Sequence, residues 1–489
     1  MKKSFLLIAL FALPWCASGK EETGFLLHGA YWIHSNWVTD FPLDETDFKD
    51  GLGWYLDHRL RLEPQVKGSW GKVYVQFDAL TGQIAGDVTD TGAGVLLYPR
   101  NRINGYKQAD FRQGYVELKT RVGLFRIGQM TSKWGLQILA NDGDSSEDPF
   151  WDPRYGDLVE RFMFATRPAQ AFSKAEWARH LYLVVGADLV YRDENASLID
   201  GDRAVEGIGA VFYEKAEDFY GVYVAYRHQK YDEGDLLKAT AADIFLKHSF
   251  DFETWKLLVE FEGAGVFGYT DHVTFEMAKD GVDIAGFGAV ARLRADIDRL
   301  HLKPQIELGF ASGDKDPSDQ TIHSFTFDPD YHVGMILFPE VIGRMSARAT
   351  DRVSDPALVH QPPKGYDMAA TNGAITNAVY IAPAVQYSPL RHLDLRILGL
   401  VAWSPAGLYG PYTSANNGGY PLSYRGSPSK YLGFELDTGA AYTLKLSRYL
   451  KSRFMVQAGL LLGGSAFDDP KGESMGNVYK ARLGMDLLF

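Results

Sequence analysis

The final segment, Tyr479 to Phe489, alternates by side: Tyr479, Ala481, Leu483, Met485, Leu487 and Phe489 face one way, Lys480, Arg482, Gly484 and Asp486 the other. Successive side chains of a strand point to opposite faces, so this segment is apolar on one face and charged on the other. It is also long enough to cross a bilayer, which takes about 9–11 tilted residues. A strand with one greasy and one charged face suits a transmembrane β-barrel, in which one face meets lipid and the other a lumen.

The other end of the chain agrees on the compartment. Lys2 and Lys3, an apolar run from Phe5 to Trp15, and the small residues Ala17, Ser18 and Gly19 form the pattern of a secretory signal over residues 1–19. The exported chain then begins at Lys20 and reads as one domain over residues 20–489. A lipid anchor on Cys16 is disfavoured because bulky Trp15 precedes it. Cys16 is the sole cysteine, so the exported chain has no disulfide, cysteine metal site or thiol nucleophile.

Hydrophobic residues at 46% and charged residues at 23% would equally suit a soluble protein. Composition therefore leaves pattern to decide. After the signal no apolar run approaches the roughly 18 residues of a membrane helix, and the 13% of aromatics fits a barrel with interfacial girdles. The formal charge of −12 becomes −14 once Lys2 and Lys3 are removed, which argues against nucleic-acid binding. Much of the acidic excess falls between strands, as at Asp142, Asp144, Glu147, Asp148 and Asp152.

Period-two segments recur along the chain. Val73, Val75 and Phe77 alternate with Lys72, Tyr74, Gln76 and Asp78, and Leu393, Leu395 and Ile397 with His392, Asp394 and Arg396. Such segments near 25, 54, 70, 110, 121, 158, 180, 205, 219, 239, 254, 283, 300, 376, 392, 431, 451 and 478 predict an all-β, antiparallel barrel of about 18 strands. Short links at Thr120, Glu214 to Asp218, Phe250 to Glu253, Ile297 to Arg299 and Ser388 to Arg391 alternate with long ones, Ala79 to Asp110, Met130 to Asp157 and Ala311 to Asn377. This is the asymmetry of short periplasmic turns and long extracellular loops. Arg167 to His180 is a longer link on the short side. Pro304 sits inside a strand segment, where it removes a ladder donor, and is expected near the periplasmic rim.

If the apolar face meets lipid, the other lines the interior. The inward set includes Asp57, Arg59, Arg61 and Glu63; Glu117, Lys119 and Arg126; Asp243, Lys247, Lys256, Glu260 and Glu262; Arg292, Arg294, Asp296 and Glu307; Asp394, Arg396 and Arg482. So many charges imply water or a plug inside the barrel. The pore-lining candidates are Arg59, Arg61, Glu117, Lys119, Arg126, Arg292, Arg294, Asp394, Arg396 and Arg482. The arginine doublets Arg59/Arg61 and Arg292/Arg294 would favour anionic solutes. The alternative is that these charges form cross-strand salt bridges that stiffen the wall.

The strand Arg59-Leu60-Arg61-Leu62-Glu63-Pro64, the hairpin around Glu117 ending Phe125-Arg126-Ile127-Gly128-Gln129, and the segment Ala311-Ser312-Gly313-Asp314 with Pro317, Asp319 and Phe327-Asp328-Pro329 resemble the alginate-export family. The resemblance implies an eighteen-stranded outer-membrane barrel that passes a newly made anionic exopolysaccharide through an arginine-rich constriction. It also implies a periplasmic polysaccharide synthesis complex as partner, and carries a pore-lining role onto Arg59, Arg61 and Arg126. The mixture of acids and arginines in this lumen departs from the family's positive one.

The longest link, Ala311 to Asn377, is expected to be functional, since unstructured loops beyond about 15 residues are uncommon. Val333, Ile336, Leu337, Val341, Ile342 and Met345 predict an amphipathic helix within His332 to Ala349, kinked at Pro339, folding over or into the mouth. Asp314, Asp316 and Asp319, and Asp142, Asp144 and Glu147, offer oxygen ligands for calcium or are solvated loop acids; their spacing is not that of an EF-hand, and no metal or other cofactor is assigned. Trp151 and Tyr155 could stack on sugar rings or belong to a girdle. His58 and His301 lack a nucleophile motif beside them, so catalysis is not expected.

These features lead to a monomeric barrel in the outer membrane of a Gram-negative bacterium, among lipid and lipopolysaccharide and placed there by the outer-membrane assembly machinery. Its expected role is export of a hydrophilic, anionic polysaccharide. The competing readings are a diffusion porin for small nutrients and a closed barrel acting as adhesin or scaffold, with an embedded hydrolase last.

Overall fold

A computed structural model describes residues 23–87, 110–144, 148–150, 156–272, 281–316, 319–353, 370–416 and 422–489. The signal segment 1–19, Lys20, Glu147, Trp151, Asp152, Tyr155 and Pro317 lie outside the described residues.

Each alternating segment forms a strand where the sequence predicts one. In chain order the strands are β1 (Gly24–Val38), β2 (Trp54–Gly68), β3 (Gly71–Gly86), β4 (Asp110–Lys119), β5 (Leu124–Thr131), β6 (Leu158–Thr166), β7 (Leu181–Arg192), β8 (Arg203–Lys215), β9 (Asp218–Lys230) and β10 (Leu236–Asp251). They continue as β11 (Lys256–Thr270), β12 (Val282–Asp296), β13 (Leu302–Ala311), β14 (Thr321–Ile322), β15 (Ala378–Leu390), β16 (Leu393–Trp403), β17 (Tyr431–Lys445), β18 (Lys451–Gly463) and β19 (Asn477–Leu488). All nineteen share one sheet. The two-residue β14 only adds a parallel pairing on β12, so the wall is eighteen antiparallel strands. The wall closes where β1 meets β19, from Ala30 opposite Leu488 to Val38 opposite Lys480. Closure leaves no edge strand, the condition for a sheet to sit in lipid.

Alternation assigns the two faces. Ile244, Leu246, Phe261, Phe287, Leu293, Leu308, Phe310, Ile397, Val456 and Leu483 are exposed on the outside, an apolar belt that would be untenable in water but fits hydrocarbon. Between them the chain turns charged groups inward, as with buried Lys480, Arg482 and Asp486 on β19. Short turns such as 216–217 and 391–392 lie on the end that holds the start of β1 and the end of β19, while the long loops lie on the other. Arg167 to His180 is the longer periplasmic link expected, built from two 3-10 turns, Pro168–Ala171 and Glu176–Arg179. Pro304 stands opposite Val385, one residue past the last β12–β13 pair, Arg294 with Gln305. That is the periplasmic rim.

The lumen holds a hydrophobic core of its own. Trp134, Leu136 and Ile138 from the β5–β6 loop pack in one buried cluster with Phe325, Phe327, Tyr331, Val333, Ile336, Leu337 and Phe338 from the β13–β15 loop. Of the water or plug that the inward charges imply, the structure shows a plug.

Candidate functional site

The plug is built from two loops, each seated on carboxylates of the wall. In the first, a tight turn at residues 134–137 closes with Gln137 N–H donating to Trp134 O at 2.9 Å. Gly135 and Gln137 adopt left-handed backbone there, with φ of 56° and 76°. The turn aims its amides outward at Glu262 on β11, which accepts from Leu136 N–H and, at 3.2 Å, from Ile138 N–H. A Cβ on Gly135 would collide with that carboxylate, so glycine is what lets the backbone approach. Trp134 donates its indole N–H to Asp243 Oδ1 on β10 at 2.9 Å. Its ring lies edge-on to Phe212 and Phe219, with centroids at 6.2 and 5.4 Å.

The second loop repeats the device with a helix. Ile336 N–H and Leu337 N–H each donate to Glu435 on β17 at 2.8 Å; Met335 N–H reaches both Glu435 and, at 3.1 Å, Asp437. These are the unpaired amides at the start of a helix, where an acceptor with negative charge is favoured. The helical stretch begins as a wide π-type turn, Leu337–Ile342, and continues as α1, Gly343–Val353. Pro339 has no N–H to give, and the turn widens so that Ile336 O accepts from both Glu340 and Val341, each at 3.0 Å. The helix expected within His332 to Ala349 therefore starts later and ends later.

The two loops meet. Asp328 N–H donates to Ile138 O at 2.9 Å, and Gly156 N–H donates to Asp330 Oδ2 at 2.6 Å. Burial, with the neighbouring acids Asp330 and Glu194 adding to it, pushes the Asp328 carboxyl well above the usual carboxylate range.

Outside the plug, α1 is fastened to the β1–β2 loop. Arg344, Arg348 and Arg352 recur every fourth residue and so share one helix face. Arg344 pairs with Asp50, Arg348 with Asp44 at 3.0 Å, and Arg352 with Glu45 at 2.6 Å. Arg352 also lies over the Tyr412 ring at 3.5 Å. Burial alone would raise Asp44; its bonds from Thr46 and Arg348 and the charge of Arg352 outweigh that and hold it below 3.8.

Between the plug and the β11–β19 side of the wall remains a cavity of about 720 Å³. Arg292, Arg294, Arg396 and Arg482 line it, with Lys303, Lys480 and the acids Asp148, Glu260, Glu307, Asp330 and Asp437. Most of these charges are engaged: Arg292 with Glu307 at 2.8 Å, Arg294 with Asp296 at 3.0 Å, Arg396 with Asp148 at 3.3 Å, and Arg482 with Asn36 at 2.8 Å. Lys303, the second residue of β13, is exposed and holds no ion pair among the described residues.

The other pore-lining candidates stand elsewhere. Arg59 and Arg61 are buried against Asp78, at 3.5 and 2.9 Å, and both lie over the Trp32 ring. A bulge at Leu60/Arg61 brings the two arginines to one acid. Glu117 pairs with Arg126 at 2.7 Å, and Lys119 ends β4 beside the short turn. Asp394 accepts from Ser388 Oγ at 2.6 Å and from Gln386. Of the histidines, His58 meets the Tyr31 hydroxyl at 3.4 Å, and His301 is a turn residue with φ of 53°.

The acidic loop clusters cap their own turns. Asp314 accepts from Asp316 N–H at 3.0 Å and from His323 N–H at 3.3 Å, Asp319 from Thr321 N–H at 2.9 Å, and Asp142 from Asp144 N–H at 3.0 Å. Elsewhere on the outer loops, Glu233, Asp235 and His272 bring ligand-type atoms within 4.8 Å of one another.

Sequence reasoning missed Glu435, Asp437, Lys480 and the α1 arginines. The four-residue spacing of Arg344, Arg348 and Arg352 was the signal available for the last.

No protein-family model matches the sequence, and no curated protein does. Three solved Pseudomonas aeruginosa structures follow a similar chain course: OccK11 (OpdR) with TM-score 0.48 and 10% identity, OccK8 (OprE) with 0.48 and 9%, and OccK1 (OpdK) with 0.47 and 12%. The match covers 95% of this chain in each case, and 96%, 98% and 100% of theirs. The comparisons give no support to the alginate-export type. The closed, even-stranded wall and its apolar belt are those of a bacterial outer-membrane β-barrel, and the chain belongs in the outer membrane of a Gram-negative cell.

Proposed function

We propose that the protein is a diffusion channel for small hydrophilic solutes. One observation carries this: the two loops are fastened inside the lumen and leave a polar cavity of about 720 Å³, the size of pocket that holds one small molecule, roughly 300–1,000 Å³. A sliding polysaccharide needs a continuous bore, and export would require the plug to leave its seats on Glu262 and Glu435. Export of an anionic polymer, with a synthesis complex as partner, is accordingly the weaker reading.

Cations and acids nearly balance around the cavity, which supports a mild preference for anions centred on exposed Lys303 rather than a strong one. The test is solute flux into proteoliposomes carrying the full barrel. Monosaccharides and small carboxylates should enter, while oligosaccharide chains stay out. Passage of polymer, or no flux of any solute, overturns the proposal, and the second result would point to a scaffold.

A further inference from the structure

From the two seats of the plug we infer that Glu262 and Glu435 are positioning residues, a pair of wall carboxylates that jointly hold one plug body in the lumen and take no part in selecting solutes by charge. The inference rests on the reading of the barrel as a channel.

The two sites share one design at different places on the wall. Glu262 on β11 and Glu435 on β17 are both fully buried. Each accepts backbone N–H groups from a loop that has gone where water cannot satisfy them, Leu136 and Ile138 at one and Met335, Ile336 and Leu337 at the other. Each has a neighbouring aspartate that takes one further donor, Asp243 from Trp134 and Asp437 from Met335. A carboxylate has about four acceptor positions; Glu262 gives two loop amides an acceptor and Glu435 three. In a lumen with so many charges, these two are among those a passing solute does not meet.

The loops they hold are one body. Asp328 N–H bonds to Ile138 O, and the apolar side chains of both loops share one cluster. At its outer end that body continues into α1, which Arg344, Arg348 and Arg352 tie to the β1–β2 loop. Loss of a wall carboxylate therefore frees an inner part still tethered outside, and loss of one leaves the other in place. The two substitutions should reinforce each other.

Single-channel recording in planar bilayers of Glu262→Gln, Glu435→Gln and the double variant tests this. Glutamine keeps the shape but replaces one acceptor oxygen by a donor. Each single variant should keep the main conductance level and show brief larger openings at least tenfold more often than the unaltered protein. The double variant should dwell at a level at least twofold higher. Reversal potential in a salt gradient should stay the same in all three.

A double variant that migrates as a folded barrel on an unheated gel yet conducts like the parent overturns the inference. So does a shift in reversal potential in either single variant. Should the double variant fail to assemble, the singles decide, and unchanged opening frequency in both overturns it. The outcome separates from the channel reading: a silent parent protein with a conducting double variant supports the two seats and overturns free diffusion through the parent, whereas a conducting parent with indifferent variants does the reverse.

Discussion

Lys480 of β19 and Glu340 of the plug form an ion pair of 2.7 Å in which both side chains are buried. Lys480 also donates to Met335 O at 3.3 Å, so one wall ammonium touches both the turn that starts the helix and the segment leading into it. Removing one member of such a pair leaves a charge stranded in the dry plug, which typically costs about 3–5 kcal/mol, whereas replacing both by apolar groups can be nearly neutral. Lys480→Met should therefore speed hydrogen exchange at the amides of residues 337–342 by about a hundredfold or more. Lys480→Met with Glu340→Leu should return most of the protection. A double variant that exchanges as fast as the single would show that the pair is not what holds this turn.

Arg61 and Lys303 make opposite predictions. Arg61 is buried and bound to Asp78 at 2.9 Å, and Asp78 itself has no exposure. Arg61→Gln removes half of a buried pair and should destabilise the wall by about 3 kcal/mol, visible as a lower temperature at which the folded band is lost on gels. It should leave reversal potential unchanged. Lys303→Gln alters an exposed charge at the cavity floor that has no ion pair among the described residues. Folding should be untouched and reversal potential should move toward cation preference. If Arg61→Gln moves the potential and Lys303→Gln does not, the charge that meets solutes lies on the β2 side of the lumen.

How much of this was legible in the chain depends on the distance over which the information acts. The wall was legible, because alternation is a local pattern and hydrocarbon on one side enforces it in every strand. Val73, Phe77 and Leu483 declare their face without reference to anything remote. The plug was half legible: the apolar residues from Val333 to Met345 announced a buried segment and Pro339 its kink. Their seat was not, since Glu435 is 98 positions from Leu337 and only closure of the barrel brings them together. Arg59 and Arg61 looked like a free doublet because alternation puts them inward, and a bulge then turns both onto Asp78. Sequence gives the face of a side chain but not whether a partner from another strand has already taken it.

The α1 latch should depend on pH in one direction. Asp44 is held below its ordinary 3.8 in the folded protein, so its contribution is complete above about pH 4, the ordinary value for aspartate, and is lost as pH falls through the lowered folded value. Acidification to that range should release α1 from the β1–β2 loop, seen as lost hydrogen-exchange protection of the α1 amides in intact proteoliposomes. Asp44→Asn should lack that protection already at neutral pH. Equal protection of parent and variant at pH 7 would rule out Asp44 as a fastening point.

Gly221 on β9 offers a way to move Trp134 without touching a polar group. A Cβ at that position would lie 2.7 Å from Phe212 Cβ, 2.8 Å from Trp134 Cη2 and 2.9 Å from Phe219 Cε1, all closer than carbon atoms tolerate. Phe212 and Phe219 stack on each other at 5.0 Å and are held by their own strands; Trp134 is on a loop. The loop should yield first. Gly221→Ala is thus expected to lift the indole from its aromatic seat and strain its bond to Asp243, mimicking in part Trp134→Ala, for which loss of a buried tryptophan costs about 3–5 kcal/mol. In bilayers both variants should show more frequent large openings, with Trp134→Ala the stronger. Were Gly221→Ala to lower the barrel's own thermal resistance and leave openings unchanged, the wall rather than the loop would be the part that gives way, and the first loop would be held by Glu262 without help from the indole.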